Sequence, residues 1–307
     1  MERRLSRRFS VAPEVSRALA DRAPVVALET SVVTHGLPHP DGQEVAAQME
    51  AAVRAAGAVP ATIGVLRGQV RVGLSSAELL ELADAADVQK LNLSNLAAQA
   101  ASGRPGSTTV AATLFVAHRA GIGVLATGGI GGVHRGAAET GDVSADLAAL
   151  SRFPVAVVCA GAKAVLDLPR TVEVLESLGV PIYGVGTDRF PAFYRRDGGL
   201  PVDHRFDGIE DLASAVRAHL QLGLGTGVLV ANPIPAEHEM PREMYESAIA
   251  QAIADAGRAG VRGRAVTPFL LERMRSLTGQ RSVGANRALL LDNARVAGAL
   301  AAALARP

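Results

Sequence analysis

Tryptophan is absent from this chain of 307 residues, cysteine occurs once, and aromatic side chains make up only 3% of it. Lysine is nearly absent too: among 31 lysine and arginine residues, only Lys90 and Lys163 are lysine. Each shortage excludes something. A lone Cys159 cannot form an intrachain disulfide, and its place inside an apolar run fits a reducing cytoplasm. With so few aromatics in a chain that is 49% hydrophobic, the core must be mainly Ala, Val and Leu. A formal net charge of +1 gives no electrostatic grip on a nucleic acid polymer or a membrane. No 18-residue apolar span is expected, and the Ala-rich run 297–305 is too short to cross a bilayer. The basic start, Met1-Glu-Arg-Arg-Leu-Ser-Arg-Arg, lacks the apolar stretch of a signal peptide.

Wherever a positive charge suffices, this chain uses arginine. A guanidinium keeps its proton near neutral pH, whereas a desolvated lysine can lose it and become a nucleophile that forms Schiff bases. Coding bias alone would thin out lysine without regard to place. Lys163, however, follows the apolar run Val155-Ala-Val-Val-Cys159-Ala-Gly-Ala, a buried strand opening through glycine. That position, at the exit of a strand, marks it for chemistry.

Apolar runs alternate with helical patterns almost throughout. Strands are expected at 25–28, 61–66, 69–72, 88–91, 123–126, 155–159, 181–185 and 227–231. The pair 61–66 and 69–72 reads as a hairpin about Arg67-Gly68. Helices are expected at 41–56, 75–83, 94–101, 108–120, 144–150, 169–178, 238–258, 267–277 and 283–305. No repeat or linker divides the chain, so residues 1–307 read as one domain. The expected fold class is α/β: a three-layer α/β/α arrangement about a mixed, mostly parallel central sheet. In such sheets ligands bind beyond the carboxyl ends of strands, where Glu29, Lys90, Thr127 and Lys163 can converge.

Thr127-Gly-Gly-Ile-Gly-Gly-Val-His134-Arg-Gly136 follows a strand, as a phosphate-binding turn should. It is neither a dinucleotide fingerprint, because no helix follows at once, nor a Walker loop, because Gly-Lys-Ser/Thr is missing. A tight structural loop would account for its glycines but not for His134, Arg135 and Asp142 around them. In Asp142-Val-Ser144-Ala-Asp146, Ser144 either caps the next helix or serves the site. Asp142 is free to face the site, and one carboxylate with waters suits a hard divalent ion. Glu29 ends a buried strand, where a carboxyl tends to titrate high and to act as general acid or base. The nearby Thr34-His35-Gly-Leu-Pro-His39-Pro reads as a loop with ordinary histidines.

These stretches, with Ser107-Thr-Thr-Val110-Ala-Ala-Thr113, Gly161-Ala-Lys163, Phe190-Pro-Ala-Phe193, Ala231-Asn-Pro-Ile-Pro235, Gly284-Ala-Asn286 and Asp292-Asn293-Ala, closely resemble the pseudouridine-5'-phosphate glycosidase family, which includes the indigoidine synthase A-like proteins. The match runs in order from about residue 10 to the C-terminus. The resemblance implies reversible cleavage of pseudouridine 5'-phosphate to uracil and ribose 5-phosphate. It also implies a cytoplasmic homotrimer with one mostly water-coordinated manganese ion per subunit. By position, Glu29 matches the proton donor, Lys163 the covalent nucleophile and Asp142 the metal ligand. Lys90, the backbone at Val110, and Ser144, Ala145 and Asp146 match substrate-binding positions. Asn286 matches a residue facing the base, a role His134 shares, and Thr127 joins the substrate-binding set.

Elementary chemistry agrees with that implication. A C-glycosidic bond has no heteroatom leaving group to protonate, so the two-carboxylate glycosidase scheme does not apply simply. An imine on Lys163 supplies the missing electron sink, which requires an amine titrating well below the ~10.4 of free lysine. Lys90 is expected to stay charged and hold phosphate. One departure stands out: the family commonly carries Ser-Arg-Arg-Asp after the lysine, where this chain has Lys90-Leu-Asn-Leu-Ser-Asn95. The alternatives are a related Schiff-base lyase acting on another phosphosugar conjugate, and a non-catalytic phosphosugar or nucleotide sensor. The partner is in every case a small molecule.

Overall fold

The computed structural model describes residues 7–37, 40–163, 165–261 and 266–306. The expectations for His39 and for the first six residues lie outside them. The chain begins with β1 (Phe9–Val11), α1 (Pro13–Ala20) and β2 (Val25–Leu28), followed by a π-helical turn (Val32–Gly36) and α2 (Asp41–Ala55). Next come β3 (Val59–Leu66), β4 (Gln69–Val72), α3 (Ser76–Asp84), β5 (Gln89–Leu91), α4 (Leu96–Ser102) and β6 (Gly106–Thr108). The middle holds α5 (Val110–Ala120), β7 (Val124–Ala126), α6 (Ala137–Thr140), α7 (Ala145–Leu150), β8 (Ala156–Cys159) and α8 (Leu168–Ser177). Then follow β9 (Ile182–Val185), β10 (His204–Phe206), α9 (Ile209–Leu222) and β11 (Val228–Ala231). Three helices end the chain: α10 (Arg242–Arg258), α11 (Val266–Thr278) and α12 (Gln280–Ala305).

The strands order as β1-β4-β3-β2-β7-β8-β11-β9-β10, with β6 beside β3 and β5 beyond it. Among the described residues, only the β3–β4 and β3–β6 ladders are antiparallel. The expected mixed, mostly parallel sheet is therefore present, with helices on both sides. Every residue of β2, β7, β8 and β11 is buried, which is why these strands read as unbroken apolar runs. β3 serves two ladders. Residues 59–62 pair with β2, while Gly64 and Val65 pair with β4 and with β6, so the far half of β3 carries a small side sheet. The β3–β4 turn has Arg67 at φ 51° and Gly68 at φ 76°, the left-handed pair that a tight hairpin needs.

α12 corrects one expectation, since it is long and apolar enough to cross a membrane by length and composition. It is instead a core helix: Leu289, Leu290, Ala294, Ala297 and Leu300 are all fully buried, and it packs on α2, β2, β7 and β8. Gly298 lets α12 close on α2, for a Cβ there would meet the Val53 carbonyl oxygen at 3.1 Å. Burying each of those leucines contributes about 1.5–3 kcal/mol.

Other differences have local causes. Residues 32–36 form a π-helical turn rather than open loop, and Ala137–Thr140 makes one helical turn inside the stretch expected to be loop. β1, α1, β6, β10 and α9 have no counterpart among the expected elements. Lys90 lies within β5 rather than at a strand exit.

Candidate active site

Four chain segments meet beyond the ends of the central strands. Glu29 leaves β2, Thr127 leaves β7 and Lys163 leaves β8, while β5 brings in Lys90 from the side sheet through its pairing with β6. Leaving β8, Gly161 has φ 78°, and a Cβ there would collide with the Pro191 carbonyl oxygen. Only glycine fits that approach. Gly161 O then accepts from Ile130 N at 3.0 Å, and Lys163 N donates to Ile130 O at 3.0 Å. The lysine backbone is thus stitched to the glycine-rich loop.

Glu29, Lys90, Lys163, Thr127, Gly128, Gly129, His35, Phe193 and Asn286 line a small chamber of about 40 Å³. Glu29 is 6% exposed, and its two oxygens accept from the hydroxyls of Ser31 and Thr127. Next to it lies a polar cleft of about 330 Å³ whose walls include Lys90, Lys163, Asn92, Ser94, Asn95, Thr109, His134, Asp142, Ser144, Ala145 and Asp146. Both lysines border both spaces. A third cavity of about 190 Å³ opens from the chamber past His35 and Asn286 and is walled by Tyr194, Arg275 and Glu272.

The electrostatics of this site are unusual. Burial, followed by the nearby Lys163, pushes the Lys90 ammonium below its ordinary value, against the pull of Glu29 and Asp146. Lys90, expected to stay charged and hold phosphate, carries that charge at a cost in this fold. Burial, then the Lys90 charge, holds His35 below the usual imidazole value against a hydrogen bond to the Val88 backbone. Burial lowers His134 as well; Asp142 opposes this, and both lysines add to it. Both histidines are therefore biased toward the neutral form. In contrast, burial pushes the Cys159 thiol up to about 12, so the only cysteine is chemically silent.

Some expected substrate contacts are occupied by the protein itself. Asp146 Oδ1 accepts from Ala111 N at 2.9 Å and its Oδ2 from Gly131 N at 2.8 Å. Ser144 caps α7, accepting from Asp146 N at 3.2 Å, and also lines the cleft. Gly131 is needed for this packing, because a Cβ there would collide with Ser144. The Thr127 hydroxyl is committed to Glu29. Val110 is buried at the first position of α5, and the cleft wall beside it is Thr109.

His134 and Asn286 are not brought together. The first stands with Asp142 on the cleft, the second on the chamber and the cavity beyond it. In the 91–95 segment, Asn95 accepts from Asn92 N at 2.8 Å and donates to Lys90 O at 3.0 Å, so these amides shape the turn that holds Lys90. Among the described residues no three His, Cys, Asp or Glu side chains cluster to hold a metal. Asp142 on the cleft offers one carboxylate, which fits a hard divalent ion taking its other ligands from water and substrate.

Sequence reasoning singled out neither Ser31 nor His35 as a residue of the chamber. Ser31 lies two residues from Glu29, a spacing from which a hydroxyl can reach back to a carboxylate, and it was legible in Glu29-Thr-Ser. His35 lines the chamber because the π-helical turn folds it inward, where Thr34 and Ser107 hydroxyls meet its Nδ1.

Comparison with known proteins finds close relatives. The model of the family described as indigoidine synthase A like protein matches residues 14–303. A pseudouridine-5'-phosphate glycosidase of Methylobacterium nodulans is 56% identical over 95% of this chain and 87% of its own. Another, of Paracoccus denitrificans, is 54% identical over 97% of this chain and 98% of its own. Among solved structures, the prealnumycin C-glycosynthase AlnA in complex with ribulose 5-phosphate is 40% identical, with a TM-score of 0.90 over 98% of both chains. An indigoidine synthase A-like protein from Thermotoga maritima is 34% identical, with a TM-score of 0.88 over 97% of both chains.

Proposed function

We propose a mechanism from one premise: this chain belongs to the family of indigoidine synthase A like proteins. Like its curated relatives it is an enzyme that cleaves the C-glycosidic bond of pseudouridine 5'-phosphate, reversibly, to uracil and ribose 5-phosphate. The observation that carries the mechanism is that the chain's two lysines and Glu29 border one chamber, next to a polar cleft large enough for a phosphosugar.

In the proposed sequence the phosphate sits in the cleft, against Lys90, Ser144 and Thr109 at the start of α5, whose Ala111 amide is already taken by Asp146. Glu29, whose two oxygens meet the Ser31 and Thr127 hydroxyls, serves as the proton carrier. It takes a proton from the Lys163 ammonium, which leaves a neutral amine. That amine attacks C1', the C1'–O4' bond breaks, and Glu29 returns its proton to the departing ring oxygen. The attached nitrogen, now a secondary ammonium, gives a proton back to the Glu29 carboxylate, from which a proton passes, directly or through water, to uracil C5. The nitrogen lone pair then forms the C=N bond as C1'–C5 breaks, and the electron pair restores the uracil C5=C6 bond. Water adds to the imine, releasing ribose 5-phosphate and the free amine. Asp142 would hold the manganese ion, which when bound supplies positive charge beside substrate oxygens. A homotrimer and a cytoplasmic setting belong to the same proposal.

The lyase on a different phosphosugar conjugate and the sensor are separated from this reading by one assay. Uracil release is measured from pseudouridine 5'-phosphate, with the unphosphorylated nucleoside as control. Release that depends on the phosphate supports the mechanism. Binding without release supports the sensor, and neither release nor binding supports the other conjugate.

A further inference from the structure

The two hydroxyls on Glu29 are not equally secured. Ser31 is a chain neighbour, whereas Thr127 lies 98 residues away, on the first residue beyond β7. Beyond the end of β7 at Ala126, β8 still holds the chain, with Thr127 N donating to Val158 O and Ala160 N donating to Gly128 O, while the carbonyls of Thr127 and Gly128 also face a donor outside the sheet. Asn293 meets them from α12: its Nδ2 donates to Thr127 O at 2.8 Å and lies 3.4 Å from Gly128 O. Its Oδ1 accepts from Asn232 Nδ2 at 3.0 Å. Asn232, the first residue after β11, also donates through Nδ2 to Asp292 at 2.8 Å and through its backbone N to Cys159 O at 2.8 Å.

Asn293 is fully buried among Leu289, Leu290, Ala294 and Ala297, where an apolar side chain would pack without the desolvation penalty of an amide. An amide with both ends bonded is well suited to fix one geometry. Here the geometry it fixes is the strand exit that presents the Thr127 hydroxyl. The charged and titratable groups facing Glu29 in the chamber are Lys90 from β5, Lys163 from beyond β8 and His35 from the π-helical turn. From α12 the chamber receives only the neutral Asn286 among the described residues.

We propose that Asn293 is a positioning residue for the reaction: by holding the Thr127 carbonyl it keeps the Thr127 hydroxyl on Glu29, and so sets the pH at which Glu29 exchanges its proton. This rests on Glu29 being the proton carrier proposed above. A carboxylate that loses a hydroxyl donor is less stabilised and titrates higher.

The test is the pH profile of uracil release. Thr127→Val is expected to move the acidic limb of kcat up by about one pH unit, and Thr127→Ser to restore it. Asn293→Asp, which removes the donor, is expected to move the same limb in the same direction by a smaller amount. In the Thr127→Val background it should move the limb no further, because its effect passes through that hydroxyl. A fall in kcat with the limb unmoved, or limb shifts that simply add, would overturn the proposal. If Asn293→Asp does not accumulate as folded protein, Asn232→Ala frees the same amide from its other side and carries the same expectations. A wild-type protein that releases no uracil would defeat the function reading instead, so the two failures are distinguishable.

Discussion

Replacing Asp146 with asparagine changes one atom and should cost much of the stability margin. Both carboxylate oxygens accept backbone hydrogens, one from Ala111 at the start of α5 and one from Gly131 in the glycine-rich loop, and the residue is 4% exposed. In Asp146→Asn one oxygen becomes an NH2 group that must face one of those N–H donors. Whichever way the amide turns, one hydrogen bond to a charged acceptor is lost, and a buried N–H is left without a partner. Each such loss is worth about 1.5–3 kcal/mol, so about 3 kcal/mol is expected in total. Relaxation is blocked because Gly131 already sits against Ser144 and Asp146. The assay is urea unfolding at pH 7 and fixed protein concentration. With an m-value near 3 kcal/mol/M, the midpoint should fall by roughly 1 M. Activity should fall with it, since the loop also anchors Lys163. A midpoint within about 0.2 M of wild type would refute the reasoning.

Gly161→Ala should abolish activity, since the side chain collides with the Pro191 carbonyl oxygen just ahead of Lys163; wild-type turnover in this variant would be contrary evidence. Lys90→Met should raise the urea midpoint at pH 7. Between the depressed folded value of Lys90 and the ~10.4 of free lysine, the unfolded chain holds a proton the folded one does not, so the wild type should gain on the variant as pH rises toward 10; a gap that stays constant with pH counts against this. Asp142→Ala should lose activity that added manganese does not restore, and full activity in that variant would remove the metal role.

The parts legible in the sequence were those set by local pattern. Fully buried parallel strands such as β8 read as apolar runs, and Arg67-Gly68 fixed the hairpin through backbone preference alone. The scarcity of lysine marked Lys163 because an arginine cannot do its chemistry. Edge and bridging pieces were not legible. β10 is His204-Arg-Phe206, a short edge strand with a charged centre and no apolar run. β6 opens on Gly106 and is held in place by its partners rather than by propensity. α9 is the exception: Leu212, Ala213, Val216 and His219 form its buried side at helical spacing, a pattern present in the sequence but not read from it. Partnerships across the sheet were hidden for a different reason. That Glu29, Thr127 and Lys163 converge followed from their places beyond strands, but that the Thr127 hydroxyl meets Glu29 directly, and that Asn293 finds Thr127, depends on strand order and on where α12 docks, neither of which any local window contains.

The central claim is that Lys163 joins itself to the sugar. The direct measurement is the intact mass of the protein after incubation with ribose 5-phosphate and borohydride. The account predicts one stable adduct per chain, located on Lys163 by peptide mapping and absent in Lys163→Ala. No adduct, or an adduct retained in Lys163→Ala, would contradict it.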